Sequence, residues 1–261
     1  IEKMIKRRYI FIVVLVSVAF CSHASIIAFD DSSDPVYAGG WGWQNGGSGF
    51  DTWLWGGDWW TSNADKYINT DTPGEQGFRM WADGGYEVRG TRPFDSSLNA
   101  GERFSLNLGH WGGNNGELKI RLSSDSLPVF SLSLIAGNSY WQAFDGETFN
   151  LNDSNGMADY FTTDDDNAQF TFTYNGGSSY GFSLTDSAGN GYSVASKINT
   201  SVTAVEMESI NKISIENHGQ GSGSNFYVDN LQISVIPEPM SVGLAGVVCV
   251  MGTFIRRKFA I

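Results

Sequence analysis

The sequence predicts an all-β protein: a single antiparallel β-sandwich of jelly-roll type over residues 25–235, flanked by an N-terminal signal-peptide helix and a C-terminal hydrophobic helix. Three observations carry that expectation. Apolar side chains take every second place through much of the middle of the chain, the period of a half-buried strand. Clusters of Gly and Asn separate these runs and suit hairpin turns. No window sustains the 3.6-residue period of an amphipathic helix. The 261 residues are enough for one large β domain. Aromatic residues make up 14% and charged residues only 17%, which favours a packed core over a disordered chain.

The elements follow in order. Asp31 to Gly49 reads as a loose, Gly-rich loop ahead of the first long strands. Phe104, Leu106 and Leu108 alternate with Ser105 and Asn107; Leu118, Ile120 and Leu122 repeat the pattern. So do Phe130, Leu132 and Leu134, then Phe170, Phe172 and Tyr174, Tyr180, Phe182 and Leu184, and Ile213 and Ile215. Gly112–Gly116, Asn175-Gly176-Gly177 and Gly189-Asn190-Gly191 supply the residues that accept positive φ between runs. The count is twelve or more short strands in two packed sheets, with no internal repeat and no linker that divides them.

The two ends read as addresses. Lys6, Arg7 and Arg8 precede an apolar run from Tyr9 to Phe20, and Ser22-His23-Ala24 gives a small-x-small site before Ser25. This is the layout of a secretory signal peptide over residues 1–24, cut between Ala24 and Ser25 by signal peptidase. A buried core helix is the competing reading. Phe20 stands where a lipobox beside Cys21 would need a small residue. At the other end, Pro237-Glu238-Pro239 leads into an uncharged segment from Val242 to Ile255, followed at once by Arg256, Arg257 and Lys258. The segment is short for a membrane span. Its basic tail would stay cytoplasmic and leave the middle of the chain on the far side.

Residues 236–261 resemble the PEP-CTERM sorting signal of Gram-negative bacteria, with Met240 departing from the usual Ser or Thr. That resemblance implies export across the inner membrane and removal of the tail by an exosortase. It also implies a place at the cell surface or in an exopolysaccharide or biofilm matrix. Ala38–Trp41 with Asn45–Phe50 looks like the opening of many PEP-CTERM proteins. Phe226–Ile233 looks like the penultimate strand of jelly-roll modules in carbohydrate-active and surface proteins.

Residues 25–236 hold nine Lys and Arg against 26 Asp and Glu, a net charge of −17. That excludes nucleic acid as a partner, because binding phosphates needs clustered cations. Direct contact with anionic polymers is expected to be repulsive unless cations bridge. Both cysteines, Cys21 and Cys249, lie in the terminal segments, so the domain has no thiol chemistry.

Trp41, Trp43, Trp53, Trp55, Trp59 and Trp60 fall within twenty residues. As exposed platforms they would stack on sugar rings, with Asp51 and Asp58 adding hydroxyl contacts; as core residues they would pack across the sandwich. Trp41 and Trp43 share a face if their segment is a strand, as do Trp53 and Trp55. By the jelly-roll resemblance, Asp229 near the chain's end would join Asp30 or Asp31 near its start to hold a structural Ca²⁺, the one cofactor considered. Asp164-Asp165-Asp166-Asn167 reads as a solvated turn. Gly177–Gly181 fits G-x-S-x-G but lies between two alternating runs, where a hairpin is the natural reading. Glu206 and Glu208, two apart on an expected strand, would share a face about 6.6 Å apart, as an acidic surface or as a glycosidase-like pair.

Three functions compete. The first is an exported, non-catalytic surface or matrix protein, touching the membrane only through its cleavable ends. The second is a carbohydrate-binding module using the Trp cluster. The third is a secreted glycan hydrolase.

Overall fold

A computed structural model describes residues 24–58, 64–69, 77–111, 116–125, 127–135, 141–151, 168–185, 191–219 and 224–236. Within them lie fifteen strands: β1 (Ser25–Asp30), β2 (Leu54–Gly57), β3 (Ala64–Asn69), β4 (Gly77–Ala82), β5 (Glu87–Pro93), β6 (Glu102–Trp111), β7 (Glu117–Ser124) and β8 (Leu127–Ile135). They continue as β9 (Trp141–Phe144), β10 (Thr148–Asn150), β11 (Ala168–Gly176), β12 (Ser179–Thr185), β13 (Gly191–Ile198), β14 (Ile210–His218) and β15 (Ser224–Val235). One sheet runs β13-β12-β11-β6-β15-β4-β3, with β1 also pairing β15; the other runs β10-β9-β8-β7-β14-β5-β2. The described pairings are antiparallel. Residues 26–235 form one compact unit.

The alternation that marks the strands also builds the core. Phe104, Leu106 and Leu108 of β6 and Phe170 and Phe172 of β11 face Leu118, Ile120 and Leu122 of β7 and Phe130 and Leu132 of β8, all buried. Phe130 stacks on Phe170 with ring centroids 5.8 Å apart, and Trp141 of β9 meets Phe226 of β15 at 6.5 Å. These contacts lock the two sheets face to face as a sandwich. The hairpin between β11 and β12 turns on Gly176 and Gly177, with φ of 102° and 61°, so the G-x-S-x-G segment is a strand connection.

The loop from residue 31 to 49 is pinned by a buried polar network, and is not loose. The Arg92 guanidinium lies 3.0 Å from the Asp30 carboxylate, and both side chains are fully buried. Arg92 also donates to the Gly46 carbonyl at 2.9 Å, to Asn45 Oδ1 at 3.0 Å and to the Gln44 carbonyl at 3.3 Å. The Tyr37 hydroxyl donates to Asp30 at 2.8 Å and accepts from the Gly46 amide at 2.9 Å. Burial pushes the Asp30 carboxyl up, to about 6, against the pull of Arg92 and Tyr37. Gly47 is required where this loop meets β1: its φ is +68°, and a Cβ there would lie 2.0 Å from the Phe29 carbonyl oxygen.

The expected strand through Glu206 and Glu208 is a short helix, α1 (Ala204–Glu208). Thr203 caps it, and Glu206 returns the bond to the Thr203 amide at 2.6 Å in a capping box. Residues two apart on a helix do not share a face, so the carboxylate pair is not formed. The signal-peptide residues up to His23, and Pro237, Glu238, Pro239, Arg256, Arg257 and Lys258, lie outside the described residues. The expected cut after Ala24 falls just ahead of β1. Among the described residues, no helix is long and apolar enough to cross a membrane.

Candidate functional site

The core side of the seven-stranded sheet is apolar; its other side carries polar and charged groups in an ordered grid. Strand pairing fixes three adjacent rows across it. The first runs Pro93–Lys212–Ser123–Pro128. The second runs Leu54–Thr91–Ser214–Arg121–Ser131–Phe144–Thr148. The third runs Gly56–Arg89–Glu216–Lys119–Ser133–Gln142–Asn150. Neighbours within a row sit on strands about 4.8 Å apart, so the longer rows extend some 29 Å.

Two grooves follow this face. One, of about 320 Å³, is walled by Arg89, Arg121, Lys212 and Glu216, with Trp55 and Leu54 at one end. The other, of about 290 Å³, runs over Lys119, Ser131, Ser133, Gln142 and Phe144. Arg121 and Pro128 belong to both, which makes them one trough. Exposed Leu54 stands at one end of the second row, and exposed Phe144 lies next to its last residue, Thr148, at the other.

Hydrogen bonds hold the grid in place. Thr91 and Ser214 hydroxyls lie 3.0 Å apart, and Gln142 donates to Asn150 at 2.9 Å. Glu216, almost wholly buried, is the centre: Arg121 lies 2.8 Å away and His218 3.3 Å. Burial acts to raise the Glu216 carboxyl, but His218, Arg121 and Lys119 bring it below the usual carboxylate range. The hydrogen bond His218 donates to Glu216 lifts His218 above the usual imidazole range; burial opposes it, and the charges of Glu87, Glu216 and Glu117 add to it. Arg89 lies across Gly56, where a Cβ would come within 2.8 Å of its guanidinium. An ordered face of donors, acceptors and cations with apolar ends can read a hydroxyl-rich chain laid across the strands.

The expected site residues divide differently. Trp41 and Trp53 are fully buried, 4.7 Å apart edge to face, and both pack on Phe78. They are core residues and cannot be sugar platforms. Trp41 and Trp43 lie in no strand, so they share no sheet face. Trp43 is 56% exposed with φ of 65°. Trp55 is half-buried, 4.4 Å from Trp41, and of the described cluster it alone walls the trough. Trp59 and Trp60 lie outside the described residues, as do Asp164–Asn167. Asp51 and Asp58 bond backbone amides of Thr52 and Glu87.

Of the expected calcium ligands, Asp30 does not fit a cation. Asp30 is committed to Arg92, whose charge would repel a metal at the same carboxylate. Asp229 accepts from the Ser32 amide at 2.9 Å, and Asp31 from that of Ser33 at 2.6 Å. Burial, with the nearby charge of Asp31, raises Asp229 above the usual range. Among the described residues no group of three or more His, Cys, Asp or Glu is placed to hold a metal ion.

The apolar half of each alternating run marks the core and carries no sign of the trough. The trough's signal is the polar half: Glu117-x-Lys119-x-Arg121 and Lys212-x-Ser214-x-Glu216-x-His218.

No protein-family model matches the chain, and no curated protein matches it. Solved structures are similar in fold. A cellulose-induced protein superposes with a TM-score of 0.50 at 11% identity, over 78% of this chain and 95% of that one. A carbohydrate esterase of the Shiga toxin-encoding bacteriophage phi24B gives 0.49 at 9%, over 82% and 100%. The Lotus tetragonolobus seed lectin gives 0.43 at 10%, over 76% and 97%.

Proposed function

We propose that this chain is an exported, non-catalytic carbohydrate-binding protein, and that the trough on the seven-stranded sheet is its ligand face. One observation carries the reading: three rows of polar side chains, at strand spacing, form a continuous groove with apolar ends. Rigid strands hold these groups before a ligand arrives, which lowers the ordering cost of binding. The Trp cluster contributes to the core and, through Trp55, to one end of the groove. The pairing that would have supported hydrolysis, Glu206 with Glu208, is absent.

The terminal segments support export. A signal peptide cut after Ala24 and a Pro237-Glu238-Pro239 tail removed by an exosortase would deliver residues 25–236 to the cell surface or its polysaccharide matrix.

Affinity electrophoresis of the full chain in gels containing polysaccharides tests the binding reading. Retardation that is lost in Ser131→Trp, which fills the trough, is expected. Unchanged mobility in every polysaccharide would refute it. Mass spectrometry of native material tests the sorting: both ends are expected to be missing, and their retention would contradict export by this route.

A further inference from the structure

The domain is strongly acidic, yet its cations are not scattered. Of the nine Lys and Arg between residues 25 and 236, four (Arg89, Lys119, Arg121 and Lys212) stand on the trough face. Within the three rows the one carboxylate is Glu216, 2% exposed and 2.8 Å from Arg121; Lys119 pairs at 2.7 Å with Glu117, which borders the trough. Glu87 and Glu117 fall in the next row, on either side of His218. Asp125, at the rim, is engaged by the Asn211 amide at 3.0 Å. Lys212 has no ion-pair partner among the described residues, and the Arg89 pair with Glu87 is long, 3.6 Å, with the Arg89 side chain 44% exposed.

We propose that the trough takes an acidic glycan, a polymer whose carboxylate or sulfate groups seat among Arg89, Lys119, Arg121 and Lys212. This deepens the carbohydrate-binding reading and rests on it. Glu216 acts as a built-in counter-ion that holds the cations in position when the trough is empty. Guanidinium groups suit this role because they match a carboxylate or sulfate with two parallel hydrogen bonds. The overall negative charge does not prevent it: at physiological salt the screening length is about 8 Å, so contact is governed by the groups in the trough. The repulsion expected from net charge alone therefore does not apply on this face.

The test uses the full chain at about 0.15 M salt, the ionic strength at which that screening holds, with four probes in two pairs: polygalacturonate beside its fully methyl-esterified form, and dextran sulfate beside plain dextran. Binding to polygalacturonate or dextran sulfate at least about tenfold tighter than to the uncharged partner is expected, a difference of about 1.4 kcal/mol. Lys119→Gln with Arg121→Gln should bring the ratio of the affinities for polygalacturonate and its ester down to about one. Lys212→Gln repeats the test without touching the Arg121–Glu216 pair. Arg103→Gln, exposed on β6 in the other sheet, should change nothing. Equal affinity for charged and uncharged partners would overturn the acidic-glycan assignment and leave carbohydrate binding standing. No binding to any of the four polymers would overturn both.

Discussion

Replacing Arg92 by Met removes the cation from the buried network beneath the 31–49 loop and keeps most of the side chain's length. Arg92 loses its contact with Asp30 at 3.0 Å and its bonds to Gly46, Asn45 and Gln44. Asp30 is then a fully buried carboxylate with no cation beside it, held by Tyr37 and weaker neighbouring donors. Removing one partner of a buried pair typically costs about 3–5 kcal/mol, mostly from the charge left behind. The cost depends on pH in a definite direction. In the wild type, Asp30 titrates at about 6 in the folded protein, against 3.8 for an ordinary Asp. The folded state therefore holds a proton that the unfolded state has released, and this group's contribution to stability falls as pH rises from about 4 to 6. Acidifying from pH 7 to 5 returns about 1 kcal/mol through Asp30. Without Arg92 the folded value rises further, so the variant gains more from the same change. Urea unfolding followed by tryptophan fluorescence at the two pH values measures both. A variant within about 1 kcal/mol of wild type at pH 7 would refute a buried, uncompensated Asp30. So would a loss that does not shrink at pH 5.

Further predictions separate core from surface. Trp53→Ala should cost about 3–5 kcal/mol of stability by urea unfolding, the usual penalty for a large buried side chain, while Trp43→Ala should leave the midpoint nearly unchanged. Thr203→Ala should cost about 1 kcal/mol by loss of the helix cap; Glu206→Gln should release no less product from any glycan than wild type in a turnover assay. His218→Gln should lower the melting temperature most between about pH 4.5 and 6.5. Glu216 is held low and contributes above its ordinary 4.5, whereas His218 is held high and contributes below 6.5, its share fading as pH rises through its folded value. A difference that grows toward pH 8 would contradict this pairing.

The strands were legible because a sheet face repeats every two residues, and the period survives in one sequence. The face to which a given large aromatic turns is less legible. Trp41 and Trp53 carry the same indole as Trp43, and only the turn at residues 41–43 decides which is buried. Arg92 could have been read: it follows Val88 and Gly90 in the inward register of β5, so an Arg there implies a buried acid. Val205-Glu206-Met207-Glu208 alternates like a strand, and the stronger local signal was Thr203 with Glu206 three residues later. The trough itself needs tertiary knowledge, because Arg89, Arg121 and Lys212 come from three strands far apart in sequence.

The ligand face is tested most directly by amide NMR of the protein with and without an oligogalacturonate. Shifts are predicted on β5, β14, β7 and β8, centred on Arg89, Glu216, Arg121 and Ser131. Shifts gathered instead around Trp43 or on the outer side of the β11–β12 sheet would contradict the account.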